Sequence, residues 1–123
     1  MVTAQRSEDY LKWIFILSRS QEVHGARLAE ALGVSRPTVS VVLKELEQNG
    51  LILMDQARAI SLTDKGESIA RDIYERNRVF RGLLVTLGVD DKIAQMDACR
   101  LEHAVSPESF EAFKEVYSRC QGT

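Results

Sequence analysis

Two predicted helices lie on either side of Gly33, and they limit the folds that this chain can adopt. The first helix covers residues 26–32, and glycine directly after a helix is a common stop signal. The second begins after Ser35, whose hydroxyl can cap it, with Pro37 in the first turn, and it ends near Asn49. Two short helices joined by a turn that contains glycine predict a helix-turn-helix, whose second helix fits the major groove of DNA.

The second helix has two distinct faces. Its apolar stripe recurs at helical spacing and is expected in the core: Val39, Val42, Leu43 and Leu46. The opposite face can meet phosphates, base edges and thymine methyl groups, although Lys44 also fits a solvated lysine. The predicted DNA-binding residues on this face are Ser35, Arg36, Pro37, Thr38, Ser40, Val41 and Lys44.

Two short apolar runs follow, at residues 51–54 and 59–62. The polar residues between them fit a turn, so the runs predict a hairpin that completes a winged helix. Arg58 stands at the tip of this wing, where a cation can contact a phosphate, and is the last predicted DNA-binding residue. A further helix is predicted before the helix-turn-helix, capped by Ser7 after a disordered start at residues 1–6.

A long helix is predicted from Thr63 to about Leu87. Its inner stripe includes Phe80 and ends at Leu87. Its outer face carries four arginines that we expect to be solvated: Arg71, Arg76, Arg78 and Arg81.

Two shorter helices are predicted after the long one. One begins after Asp90 and runs to about Ala104, and the other begins after Ser106. Because a complete winged helix does not need these apolar helices, we expect them to serve dimerisation. The predicted fold is mainly α, with a winged helix-turn-helix DNA-binding domain at residues 1–63 and a helical metal-binding and dimerisation domain at residues 64–123.

Composition sets outer limits on function. The net charge is −2, so DNA binding must depend on where the cations point or on a charge change that ligand binding supplies. The chain has no apolar run long enough to cross a membrane and no signal-peptide pattern, so a cytoplasmic protein is expected. Its two cysteines, Cys99 and Cys120, give no disulfide framework.

A possible metal site lies in the second of the three C-terminal helices. Cys99, Glu102 and His103 are spaced so that three potential ligands share one helix face. A thiolate, a carboxylate and an imidazole together suit a transition metal better than magnesium or calcium. The same spacing also fits a small buried cysteine beside a surface Glu–His pair.

Four stretches of the sequence, taken in order, resemble the diphtheria toxin repressor family of metal-dependent transcriptional regulators. They are Ser7-Glu8-Asp9-Tyr10, Ser35-Arg36-Pro37-Thr38-Val39-Ser40, Leu62-Thr63-Asp64-Lys65-Gly66 and Cys99-Arg100-Leu101-Glu102-His103. The resemblance covers nearly the whole chain. The length is more similar to the manganese transport regulator branch, and the cysteine motif is more similar to the iron-dependent branch.

The resemblance implies a primary metal site with one ligand from the first helix and three from the fifth: Asp9, Cys99, Glu102 and His103. We expect one divalent transition-metal ion per subunit, with iron, cobalt or zinc favoured over manganese because thiolate is a soft ligand. The family's adjacent second site is not expected. Its ligands are replaced by Lys12, Asn77 and Arg81, and protonated cations repel a dication.

The predicted function is a metal-responsive repressor that binds a palindromic operator as a homodimer, with the metal ion as co-repressor. One alternative is a metal-independent regulator in which Lys12 replaces the metal charge. Another is a winged helix that binds only protein. An enzyme is not expected, because no third orienting group or oxyanion hole accompanies Cys99 and His103.

Overall fold

The computed structural model describes residues 3–122, and within them it has six helices and one two-stranded sheet. In chain order the elements are α1 (Ala4–Ser18), α2 (Gly25–Leu32), α3 (Arg36–Gln48), β1 (Ile52–Met54), β2 (Ile60–Leu62), α4 (Asp64–Thr86), α5 (Asp91–Leu101) and α6 (Pro107–Gly122). The mainly α fold is therefore confirmed. No helix in the described part is both long and apolar enough to cross a membrane.

The chain forms two compact units that divide inside α4. The first unit ends at Arg71 and the second begins at Asp72. The predicted domain boundary at residue 63 lies at the start of the same helix. Residues 1, 2 and 123, which the predicted domains include, are outside the described residues.

The helix-turn-helix forms as predicted. Gly33 ends α2 in the left-handed conformation (φ 68°), which costs glycine little because it has no Cβ. Ser35 caps α3: its Oγ accepts a hydrogen bond from the backbone N–H of Thr38 at 3.3 Å. The apolar stripe of α3 is buried in the core of the first unit, together with Leu11 and Ile14 of α1.

The predicted hairpin is also confirmed. β1 and β2 are antiparallel, with Ile52 opposite Leu62 and Met54 opposite Ile60. Ile60 also forms a bridge with Val23, which ties the hairpin to the segment before α2. Together the helices and the hairpin make a winged helix.

The junction between the hairpin and α4 is built around Thr63. Its hydroxyl donates to the carbonyl oxygen of Gly50 at 2.7 Å and accepts from the backbone N–H of Gly66 at 3.1 Å. A Cβ at Gly66 would collide with the carbonyl group of Leu51. The close approach explains why glycine stands in the first turn of a helix.

The start of α1 differs from the prediction. Thr3, not Ser7, is the cap, and its hydroxyl accepts from the backbone N–H of Arg6 at 3.1 Å. Residues 4–6 are therefore helical, and the disordered start predicted for them is wrong. Threonine followed by Ala4 and Gln5 is itself a good helix start, so the helix begins one turn earlier.

The second unit packs the later part of α4 against α5 and α6. Its core contains Val79, Phe80, Ala98 and Phe110, and the rings of Phe80 and Phe110 lie 5.9 Å apart. Asp90 caps α5 as predicted, since its side chain accepts from the backbone N–H of Lys92.

Three predictions for the second unit are wrong. Leu87 lies beyond the end of α4 and is 76% exposed, so it is not part of the inner stripe. Arg76 is buried, not solvated. Finally, α5 ends at Leu101, and residues 102–104 form a turn instead of continuing the helix to Ala104.

The contact at Gly66 gives a prediction for stability. Replacing Gly66 with Ala normally favours a helix by about 1 kcal/mol. Here we expect Gly66→Ala to destabilise the protein by about 1–3 kcal/mol, because the methyl group overpacks against the Leu51 carbonyl. Urea unfolding measures the difference. Ser68→Ala, an exposed change in the same helix, is the control and should be neutral or slightly stabilising. Equal free energies of unfolding in the two variants would contradict the predicted collision with the Leu51 carbonyl.

Candidate metal centre and nucleic-acid interface

The predicted DNA-binding face of α3 lies open to solvent. Ser35, Arg36, Pro37, Ser40 and Lys44 are all exposed. Val41 is 65% exposed, whereas the apolar stripe on the other side of the helix is buried. Thr38 is half-buried, and its hydroxyl lies 2.9 Å from that of Ser35, so the two form a local hydrogen bond. The face therefore offers hydroxyls, cations and an apolar side chain without being needed for the core.

A groove of about 190 Å³ joins this face to the wing. Arg36 and Ser40 of α3 line it, and Arg58 of the wing lines it as well. The structure thus brings together cations that are 22 residues apart in the sequence (58 minus 36). His24 also lines the groove, with Nε2 2.9 Å from the Glu22 carboxylate. Sequence reasoning missed His24, because no spacing signal links it to α3.

Arg58 has a left-handed backbone conformation, with φ 65°. Such a conformation costs a residue with a Cβ about 1–2 kcal/mol, and glycine or asparagine adopts it more easily. The turn holds it in place: Arg58 N–H donates to the Asp55 carbonyl oxygen, and the Asp55 carboxylate accepts from Ala59 N–H, both at 2.9 Å. An arginine at a position that suits glycine points to a role for its guanidinium.

Two of the predicted metal ligands lie together in the second unit. The carboxylate of Glu102 is fully buried, and its Oε2 lies 3.1 Å from Nε2 of His103. The His103 side chain is only 6% exposed. Glu102 is the C-cap of α5, so both residues belong to the turn that follows the helix. A buried carboxylate beside an imidazole is a donor set that fits a divalent transition metal.

The other two predicted ligands are placed differently. Cys99 lies in the last turn of α5, half-buried, and Nδ2 of Asn77 is 3.6 Å from its sulfur. Among the described residues, that sulfur does not join Glu102 and His103 in one group of ligand atoms within 4.8 Å of one another. Asp9 is half-buried on α1, in the first unit. The inclusion of Asp9 and Cys99 in one site therefore stays a prediction.

At one position of the family's second site, Arg81 forms an ion pair within this chain. Arg81 binds the Asp91 carboxylate in a bidentate ion pair, with Nη2–oxygen distances of 2.8 and 2.9 Å. The ion pair raises the pKa of Arg81 and lowers that of Asp91. Arg81 therefore remains a cation, and a cation cannot act as a metal ligand.

Family models match the two halves of the chain. Residues 2–60 match the iron dependent repressor N-terminal DNA binding domain. Residues 63–121 match the iron dependent repressor metal binding and dimerisation domain.

Individual relatives agree with the family models. The chain is 43% identical over 110 residues to the transcriptional regulator MntR of Escherichia coli O6:H1, which covers 87% of this chain and 70% of that protein. It is 33% identical over 104 residues to the diphtheria toxin repressor of Corynebacterium diphtheriae, covering 83% of this chain and 46% of that one. The first of these relatives is a transcriptional regulator and the second is a repressor.

Solved structures show the same fold. A manganese-dependent transcriptional repressor in complex with manganese matches with a TM-score of 0.82 and 32% identity, over 91% of this chain and 52% of that one. The manganese regulator SloR matches with a TM-score of 0.81 and 32% identity, over 91% of this chain and 53% of that one. The chain therefore spans about half the length of these solved structures. The matched domains and relatives show that this chain belongs to the iron-dependent repressor family of metal-dependent, DNA-binding transcriptional regulators.

Proposed function

We propose that this chain is a metal-responsive repressor that binds a palindromic operator as a homodimer, with a metal ion as co-repressor. The observation that carries the proposal is the open face of α3, which continues through the groove to Arg58 on the wing. In the proposed complex α3 enters the major groove and the wing contacts the phosphate backbone. Each subunit would read one half-site.

The cations of this surface give the first test. Replacing Arg36 and Lys44 together with Ala should weaken binding to a mixed-sequence duplex. It should also flatten the dependence of log K on log salt by about 0.9 for each lost phosphate contact. Fluorescence anisotropy at several salt concentrations measures the slope.

Arg19→Ala, an exposed arginine outside this surface, is the control. An unchanged slope in the double variant would argue that α3 does not face DNA. Wild-type protein that shows no salt-dependent binding would favour the alternative, a winged helix that binds only protein.

Arg58 allows stability and binding to be separated within the same test. Arg58→Gly should remove the cost of the left-handed backbone and raise the melting temperature, while DNA affinity falls. Arg58→Ala loses the same guanidinium but keeps the strain, so its affinity should fall without the gain in stability. Wild-type DNA affinity in Arg58→Gly would show that the Arg58 side chain does not contribute to DNA binding.

A homodimer is supported by exposed apolar side chains in the second unit. Val85, Leu87, Ile93, Met96, Phe113 and Val116 are each between 44% and 76% exposed. Large apolar side chains gain free energy when a second protein surface covers them. The family model for this half carries the same role in its description. We therefore assign residues 64–123 as the dimerisation domain and residues 1–63 as the DNA-binding domain.

The dimer can be disrupted on α5. Ile93 and Met96 lie one turn apart and are 53% and 60% exposed. The double change to Glu should shift a dimer to a monomer in sedimentation equilibrium at micromolar concentration, because two charges would be buried without partners. Gln95→Glu on the same helix adds an exposed charge and should leave the dimer intact. A wild-type monomer would contradict the proposed assembly.

For the metal centre we propose Asp9, Cys99, Glu102 and His103 as ligands of one divalent ion per subunit. Buried Glu102 and its contact with His103 support this set. Related structures contain manganese or zinc. For this chain the thiolate favours iron, cobalt or zinc over manganese, since manganese has the lowest affinity in the series. The bound ion would neutralise the acidic side chains and hold them together.

Cobalt(II) titration tests both the ligand set and the stoichiometry. Thiolate-to-cobalt absorption should appear, saturate at one equivalent per subunit and disappear in Cys99→Ser. Cys120→Ser, which removes the exposed cysteine on α6, is the matched control and should keep the absorption. Two equivalents, or manganese bound as tightly as cobalt, would contradict the single thiolate site.

A metal-independent regulator is the second candidate, and the burial of Lys12 favours it. Lys12 is only 5% exposed and lies three residues after Asp9 on α1. An ammonium group removed from water is stabilised by nearby anions, so it could supply positive charge permanently. In that case, duplex binding would be unaffected by chelators and would be altered in Lys12→Met.

A further inference from the structure

The turn that carries Glu102 and His103 lies beyond the last residue of α5. Glu102 keeps helical dihedral angles as the C-cap, and the residues after it leave the helix. Glu102 N–H still donates to the Ala98 carbonyl at 2.9 Å, but the His103 N–H bond to Arg100 is long, at 3.4 Å. The two side chains nevertheless meet in a buried and defined arrangement. Ala104 N–H also donates to the Leu101 carbonyl at 3.0 Å, and a side chain from outside the turn adds a further contact.

Arg76 of α4 supplies that contact. Its Nη1 donates to the backbone carbonyl oxygens of Glu102, at 3.5 Å, and of Val105. The two carbonyls lie at either end of the turn, so one guanidinium spans it. The Glu102 carbonyl lies at the C-terminal end of α5, where carbonyl groups have no partners within the helix and carry partial negative charge, which a cation stabilises.

The surroundings of Arg76 hold its side chain in this position. The residue is 8% exposed, which is unusual for an arginine. Its Nε lies 3.3 Å from the Asp72 carboxylate, and its guanidinium carbon lies 5.2 Å from the centre of the Phe110 ring. The cation is thus compensated by a carboxylate, two carbonyls and an aromatic face. A guanidinium fixed on three sides can act as a rigid support for the turn.

We propose that Arg76 is a positioning residue of the metal centre, whose guanidinium holds the turn so that Glu102 and His103 face the same ion. The inference rests on the proposed metal binding and adds a residue that does not itself touch the ion. Outer contacts of this kind commonly change metal affinity by about 10–100-fold.

The test compares three variants of the full chain. Arg76→Met removes the charge and keeps an apolar stem, and Arg76→Lys keeps the charge but loses the planar fork. Arg78→Met is the matched control, because Arg78 lies two residues away on α4, is half exposed and packs over Tyr117 without contacting the turn. Cobalt(II) alone is the probe, titrated well below the melting temperature of each variant.

We expect Arg76→Met to weaken cobalt affinity by about 10–100-fold, Arg76→Lys to be intermediate and Arg78→Met to stay within about twofold of wild type. The cobalt absorption spectrum should change in the Arg76 variants, since the ligands are no longer held in one geometry. In the metal-free protein, hydrogen exchange at the amides of residues 102–104 should be faster in Arg76→Met and unchanged in Arg78→Met. General destabilisation would not produce this local pattern.

Wild-type affinity and spectrum in the Arg76 variants would overturn the inference, and so would an equal loss in Arg78→Met. If Arg76→Met does not fold, Arg76→Lys decides the question by the same measurements. Wild-type protein that binds no cobalt would overturn the proposed metal site itself. The two failures can therefore be told apart.

Discussion

A carboxylate without access to water needs nearby positive charge or hydrogen-bond donors, and Glu102 is such a carboxylate. Two side chains of the second unit contact this residue. His103 lies within 3.1 Å of it, and Arg76 holds the backbone carbonyl of the same residue. Replacing a buried ion pair with well-packed apolar residues often costs a protein no stability. Keeping the charge therefore fits a site that binds a cation, and it makes the turn after α5 the centre of the proposed function.

The first unit also contains features that do not contribute to its stability. The wing places an arginine in a left-handed conformation, and α3 leaves Val41 exposed while its other face fills the core. Neither feature helps the isolated unit to fold. Both suit a surface that another molecule covers, and the cations Arg36 and Arg58 share one groove there. A chain with a net charge of −2 can thus present a local basic surface to DNA.

Local signals allowed much of the fold to be predicted from the sequence. The start of α3 follows from Ser35 and Pro37, because a cap and a first-turn proline act within a few residues. The hairpin follows from two apolar runs, and α5 follows from its cap at Asp90. Thr3 carries the same kind of signal, a capping hydroxyl before good helix formers.

The errors in prediction come from contacts between distant residues. Arg76 looks like a surface arginine by helical spacing, but its acceptors lie 26 and 29 residues further along the chain. Leu87 continues the apolar period, yet α4 ends before it. For the candidate site, spacing predicts that Cys99, Glu102 and His103 share one helix face, whereas Glu102 and His103 lie in the turn after α5. Spacing could not show that α5 ends at Leu101. It also could not predict a ligand from α1, which only the family resemblance implies.

A bound metal ion is proposed to control DNA binding, and duplex affinity with and without metal tests this control. A duplex enriched from a random library by the metal-loaded protein serves as the probe in fluorescence anisotropy. The affinity should be high with one equivalent of cobalt(II), fall at least about tenfold on addition of EDTA, and recover when excess cobalt(II) is restored. Equal duplex affinity in the metal-loaded and chelated states would contradict control of DNA binding by the metal ion.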